Sequence, residues 1–476
     1  MKSILKHFVY VFLLIPLLVS CTKDDDTTKK ALKVNKFISE TMQEVYLWEN
    51  SMPNINYKNE SDPFVYFNKL LYTEDKWSFL TDDYEGLMGS LSGQETTYGY
   101  SLKFYWLNQQ ANTCYAVIQY VYDGSPADEA DLKRGDILLQ MNGNDITSNN
   151  LTPLIYSNNI TLSLGKYSSG NIVPDDRTVT MNSRMMNLNP VMIRKTIDYS
   201  EGKIGYLLYV QYIQGFTTQL NNALRYFITE GITDLVLDLR YNPGGHVTTA
   251  RHLCSALAPK DNVKNATGNG DILIRKQWNN LYQNYWQQEG EIEQLEERFD
   301  PNVVTDDLNL NLPKKRLFVL TGTGTASASE LTITGLQPYM DVILIGETTV
   351  GKYVASATLR PQERKNGQWV VDSEIANWAI QPIIYAYANA NANSFKDGFV
   401  PDHVVVENLI LNPASLGDEQ EALLAKALEL ITGVAPISPE KAIQSQPFVY
   451  QVAGTAFSRY DKFRGNAIEQ LNINGK

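Results

Sequence analysis

The stretch RLFVLTGTGTASASELTITGLQP, residues 316–338, decides how this chain folds. Arg316 to Thr321 is an apolar run of strand length, Gly322-Thr323-Gly324 interrupts it, and the residues from Leu331 to Pro338 predict a helix. A buried strand that hands the chain straight to a helix is the repeating unit of an α/β layer. Ser327 stands at the junction, where two roles are open to it. With Glu330 it makes a capping box, each side chain satisfying a backbone N–H of the other. Flanked by Ala326 and Ala328, it is also closely approachable, and the positive end of the helix favours negative charge developing beside it, as a nucleophile requires.

Working outward, Val342 to Glu347 reads as another strand and leads into Thr348-Thr349-Val350-Gly351-Lys352-Tyr353-Val354. A lysine in an apolar, glycine-marked loop is an unusual choice for a solvated surface. It can serve as a base only when its amine is neutral near pH 7, and apolar burial shifts it in that direction. On the other side, Ile204 to Val210 and Ile232 to Leu239 read as buried strands around an amphipathic helix, Thr217 to Glu230, which makes a β-α-β unit. The second strand runs into Asn242-Pro243-Gly244-Gly245, followed by a helical pattern from Thr248 to Ala258. Asn-Pro-Gly-Gly is a strong turn signal in its own right. Its two glycines also let backbone N–H groups approach a substrate carbonyl, the requirement of an oxyanion hole.

Between Gly93 and Met186 the pattern changes to short strands and turns, and the series DGSPADEADLKRGDILLQMNG, residues 123–143, resembles a PDZ domain. That resemblance implies a sheet edge that accepts an extended peptide, with Tyr98, Gly99, Tyr100, Ser101 and Leu102 as its peptide-binding loop. Upstream, Val34, Phe37, Ile38, Met42, Val45 and Tyr46 have helical spacing, and Phe64 to Leu71 predicts a second helix. The segment Trp77-Ser78-Phe79-Leu80-Thr81-Asp82 breaks that periodicity.

The ordered set LDLRYNPGG, TASASE, GETTVGK and DGFVPD resembles the carboxy-terminal processing peptidases, or tail-specific proteases, which are Ser-Lys enzymes. The resemblance covers about Val34 to Leu430. It implies Ser327 as nucleophile, Lys352 as general base, oxyanion N–H groups from Ala328 and from Gly244 or Gly245, and Glu330 in support. Many members carry a Gln four residues after the lysine to orient its amine; this chain has Ser356 there. The implied architecture is multidomain α/β: a helical N-terminal domain, a PDZ-like β-rich domain, and a ββα core similar to the crotonase and Clp-type peptidase folds. The implied activity is serine endopeptidase cleavage of unfolded or tail regions of extracytoplasmic proteins. A catalytically inactive peptide-binding lipoprotein on the same scaffold is the alternative, for which Ser356 is the hint. A glycan-binding lipoprotein would use some of the 28 Tyr and 7 Trp for stacking.

At the N-terminus, Lys2 and Lys6 precede an apolar run from Phe8 to Val19, too short for a hydrocarbon core that takes about twenty residues. It reads as a signal peptide, and Leu18-Val19-Ser20-Cys21 resembles a lipobox in which Cys21 is acylated. The expected location is the cell envelope, on an outer-membrane or periplasm-facing lipoprotein, with surface exposure suggested by the acidic run after Cys21. The chain thus divides into a signal peptide (1–20), a tether (21–30), a helical domain (31–90), a PDZ-like domain (91–188), a catalytic core with a closing helix (189–433) and a tail (434–476) to which no role attaches.

Composition excludes other classes. Net charge −12, from 53 acidic against 41 basic residues, with no Lys/Arg cluster, argues against nucleic acid as a partner. Cys114 and Cys254 read as buried thiols, and His246 and His252 lack carboxylates at a ligand spacing, so neither a metal nor a cofactor is expected.

Overall fold

Apolar residues recur one helical turn apart in the first helix, α1 (Lys23–Val45), so that Val34, Ile38, Met42 and Val45 form one buried stripe. Val34, Ile38 and Met42 pack on Tyr66, Phe67 and Leu70 of α2 (Pro63–Leu70), whereas Val45 joins the main core cluster. Asp62 caps α2 by accepting from the N–H groups of Phe64 and Val65, and Pro63 occupies the first turn, where its missing N–H costs nothing. The computed structural model describes residues 23–434 except Thr152 and Asn412, together with the strands Val452–Ala456 and Ala467–Ile468. The signal peptide and Cys21 lie outside the described residues. α1 begins within the stretch expected as a tether.

The aperiodic segment after α2 becomes a strand, β1 (Phe79–Thr81), which ties this helical unit to the core further on. Next comes an antiparallel sheet in the order β2 (Tyr100–Asn108), β3 (Thr113–Val121), β4 (Ile137–Met141), β5 (Asn159–Ser168) and β6 (Asn171–Asn182). A helix of only four residues, Pro126–Glu129, follows the turn after β3. The outer edge of β2 is paired with Val452–Ala456.

The core sheet runs β7 (Val191–Tyr199), β8 (Gly202–Tyr209), β9 (Asp234–Asp238), β11 (Arg316–Thr321), β12 (Asp341–Gly346) and β16 (His403–Val404). From β8 onward all the pairings are parallel. The intervening helices are α3 (Thr217–Glu230) and α4 (Val247–Leu257), with α5 (Ala328–Leu336) after β11 and α6 (Ala422–Thr432) near the end. Side chains alternate between the two faces of each strand. Leu235, Leu237, Leu317 and Val319 face α3, α4 and α5, whereas Val236, Phe318 and Ile345 face Leu423, Leu424 and Leu428 of α6. Both faces are covered, which is why these strands read as continuous apolar runs. A second sheet places β10 (Ile272–Trp278) beside β15 (Ile383–Asn389), which pairs with β13 (Val354–Ser356). A short strand, β14 (Ala379–Gln381), pairs with β1 in the register Phe79↔Gln381.

Beyond β9 the chain enters a buried ionic joint. Arg240, 2% exposed, bonds Asp238, Glu407 and Glu421, and Arg134 of the β-rich domain reaches Glu407 and the Tyr241 hydroxyl. Burial opposes the charge on Glu407, but Arg134, Arg240 and the Tyr241 hydrogen bond pull its carboxyl down to about 2. Its contribution to stability is present above its ordinary value near 4.5 and is lost as the pH falls towards 2. Arg240→Ala strands three buried carboxylates and should cost about 3–5 kcal/mol. A shift of less than about 1 kcal/mol in denaturant unfolding would show that the joint is not held by this residue.

Candidate active site

The chain leaves β11 through Gly322–Ala326 and enters α5 at Ala328, one turn before the expected Leu331. The reason is Glu330, whose Oε2 accepts the Ser327 N–H at 2.8 Å and secures the first turn. Ser327 has φ +58 and ψ −113, whereas an ordinary N-cap is extended. For a residue with a side chain this left-handed backbone costs about 1–3 kcal/mol. The capping-box arrangement is in place, yet Oγ stops short of a hydrogen bond and is buried with no partner. Capping accounts for Glu330 and leaves both the conformation and the idle hydroxyl of Ser327 without an explanation.

Lys352 is 1% exposed, and its Nζ also has no hydrogen-bond partner. Burial pulls its amine well below the ordinary lysine range; the carboxylates of Asp75 and Glu330 act against that shift without overcoming it. The Trp77 ring lies 5.6 Å from Nζ. Two side chains hold Ser327 and Lys352 in a common frame. Glu330 Oε2 accepts the Lys352 N–H as well as that of Ser327, each at 2.8 Å, while Oε1 accepts from Thr349 Oγ1 and the Gly351 N–H, each at 2.6 Å. Burial pushes the Glu330 carboxyl up, and these four donors oppose the shift. The Tyr387 hydroxyl, from β15, lies within hydrogen-bonding distance of the Ser327 and Lys352 carbonyls, at 3.2 and 3.1 Å. Ser327 Oγ and Lys352 Nζ are not hydrogen-bonded to one another, and both are closed off from solvent.

The Asn-Pro-Gly-Gly turn is pressed against this junction. A Cβ on Gly244 would sit 2.8 Å from the Ala328 nitrogen and 2.9 Å from Ser327 Cβ; one on Gly245 would sit 2.2 Å from the Tyr212 carbonyl oxygen. Both have positive φ, +108 and +138, so both steric and backbone demands require glycine. Asn242, fully buried, organises the contact: its carbonyl accepts from the Ala326 N–H and Ser329 Oγ, and its Oδ1 accepts the Gly244 N–H at 2.9 Å. The Gly244 N–H is therefore committed. Gly245 is flanked by bonds from its neighbours to Tyr212, a parallel pattern that turns its own N–H away from that segment. Together with the Ala328 N–H at the head of α5, it can hold a negative oxygen beside Ser327.

Ser356, at the end of β13, accepts a hydrogen bond from Gln381 Nε2 at 3.0 Å, and Gln381 Oε1 is buried without a partner. Five residues, 98–102, were expected as a peptide-binding loop in the β-rich domain, but Tyr100, Ser101 and Leu102 belong to β2, where a β-prone run continues the strand. Gly99, with φ +82, makes the bend, and Leu102 is paired with Ala456. Tyr100, Ser101 and Leu102 thus belong to the sheet of the β-rich domain, not to the core sheet whose strand β11 leads to Ser327. Asn242 opens the Asn-Pro-Gly-Gly turn, in which only the two glycines stand out as candidates, and Tyr387, Trp77, Asp75 and Gln381 carry no motif that would have singled them out for this site.

Residues 203–405 match the family model described as Peptidase family S41, residues 33–79 match the Peptidase S41 N-terminal domain, and residues 117–152 match a PDZ domain. A carboxyl-terminal-processing protease of Synechocystis sp. is 25% identical over 323 residues, covering 66% of this chain and 64% of that protein. The chloroplastic carboxyl-terminal-processing peptidase 3 of Arabidopsis thaliana is 24% identical over 261 residues, or 52% of this chain and 44% of that one. The chain thus spans less than two thirds of the length of these relatives. The crystal structure of a Bacteroides fragilis NCTC 9343 protein assigned to the S41 proteases is 28% identical, with TM-score 0.66 over 84% of this chain and 98% of that one.

Proposed function

The chain belongs to peptidase family S41 through residues 203–405, and on that premise we propose that it is a serine endopeptidase of the C-terminal processing type with a Ser327–Lys352 dyad. One observation carries this reading: a serine strained into the left-handed region and a buried lysine, both without side-chain hydrogen-bond partners, are pinned through their backbones to a single carboxylate, Glu330. In the proposed reaction the neutral Lys352 amine takes the proton from Ser327 Oγ as the oxygen attacks a peptide carbonyl. The Gly245 and Ala328 N–H groups bind the oxyanion. The Lys352 ammonium then protonates the departing amine, and water hydrolyses the ester with Lys352 again as base. Because Ser327 and Lys352 are closed off from solvent, substrate must open the site, which suits an extended chain laid alongside it.

Substrates are unfolded or tail regions of extracytoplasmic proteins, delivered by the PDZ domain, and the protein is held in the cell envelope by lipid on Cys21. Incubating the full chain with a fluorophosphonate probe tests the chemistry. Labelling should fall on Ser327 and cleavage of casein should stop in proportion. Absence of both between about pH 6 and 9, with a peptide still binding, would identify a scaffold without turnover.

A further inference from the structure

The segment that breaks helical periodicity after α2 lies against the Lys352 amine. Trp77 is half-buried, its ring is 5.6 Å from Nζ, and it packs edge-on against Tyr353, the residue after the lysine. Asp75 is fixed beside it. Its Oδ1 accepts the Trp77 and Ser78 N–H groups at 2.9 Å each, and its Oδ2 accepts the Tyr46 hydroxyl of the helical unit at 2.7 Å. The tight turn is anchored to the core by β1, and the Ile383 N–H donates to Ser78 Oγ at 2.9 Å. The helical unit therefore reaches Lys352 through two side chains held by at least four interactions.

We propose that Trp77, backed by Asp75, is the positioning residue for the catalytic lysine. The indole covers the amine so that water is excluded while Lys352 is neutral, and its π face and the Asp75 carboxylate stabilise the ammonium formed when Ser327 gives up its proton. The proposal rests on the Ser-Lys reading. The charged and titratable groups around Lys352 are Asp75 from the helical unit, Glu330 from α5 with both oxygens engaged, and Tyr387 from β15, whose hydroxyl is on the Lys352 carbonyl. Of these, Asp75 is the charge that lies on the Trp77 side.

The test is the pH dependence of fluorophosphonate labelling of the full chain, whose acid limb follows loss of the Lys352 proton. Trp77→Leu keeps the site dry but removes the π face, so the limb should move to lower pH by about half a unit or more, and Asp75→Asn should move it the same way. Trp77→Ala admits water, relieves the desolvation of the ammonium, and should move it to higher pH. Trp77→Phe should restore the wild-type limb. A purely structural role would lower the labelled fraction and leave the limb in place, so unmoved limbs in Trp77→Leu and Asp75→Asn overturn the inference. Should the Trp77 variants fail to fold, Asp75→Asn, which keeps the Oδ1 acceptor of the turn, decides alone. Failure of the wild-type chain to label at Ser327 would instead overturn the Ser-Lys reading.

Discussion

Ser327→Ala should lower turnover of an unfolded protein by about four orders of magnitude or more, while the unfolding free energy changes by less than about 0.5 kcal/mol. The pairing of these two outcomes separates the roles open to this serine. A serine that caps a helix loses about 1 kcal/mol when truncated to alanine, because a backbone N–H loses its acceptor. Here Oγ makes no hydrogen bond, and the capping work is done by Glu330, which the substitution leaves untouched. Alanine also keeps the Cβ, so it neither relieves nor adds to the strain of φ +58. Ser327→Gly extends the comparison. Glycine adopts positive φ freely, and releasing the strain should stabilise the core by about 1 kcal/mol while abolishing turnover equally. Activity assays beside denaturant unfolding of both variants provide the check. Normal turnover in Ser327→Ala would remove Ser327 from the chemistry, and a loss of stability near 1 kcal/mol would return it to the role of a cap.

The sequence displays the layers of the core but only part of its site, for physical reasons. Parallel strands covered on both faces must be apolar throughout, so β8, β9, β11 and β12 stand out, and α3 begins and ends where its amphipathic pattern does. The junction at Ser327 and the glycine turn are visible because each is a local arrangement of residues close in sequence. What escapes is assembled by sheet pairing. Tyr387 meets Ser327 from 60 residues away, and Gln381 meets Ser356 because β15, which begins two residues after it, pairs with β13. No periodicity records such meetings. Trp77 and Asp75 signal only a broken helix pattern, and their significance depends on where the following strand docks. The early start of α5 is a case of the opposite kind, in which a local signal was present: the Ser327 and Glu330 pair marks the first turn more closely than the apolar run that follows.

Lys352→Met should abolish turnover as fully as loss of the nucleophile and yet raise the stability of the core by about 0.5–2 kcal/mol. An amine buried at 1% exposure with no hydrogen-bond partner has given up its hydration without replacement, and a methionine of similar length fills the same space without that cost. The gain must also depend on pH in a definite sense. Burial holds the folded-state proton affinity of Lys352 well below the ordinary lysine value of 10.5, so in the window between the two the unfolded chain binds the proton and the folded chain does not. Wild-type stability at this position is therefore complete only above the ordinary lysine range and falls as the pH drops towards the depressed folded value. Methionine has no proton to lose, and its advantage over wild type should be large at neutral pH and shrink as the pH approaches 10.5. Thermal unfolding of both chains across that range measures the difference directly. An advantage that is constant with pH would mean that Lys352 is charged in the fold, and a charged Lys352 cannot accept the proton of Ser327. The same burial that weakens the fold makes the amine available as a base, so the instability and the activity should be lost together in this one substitution.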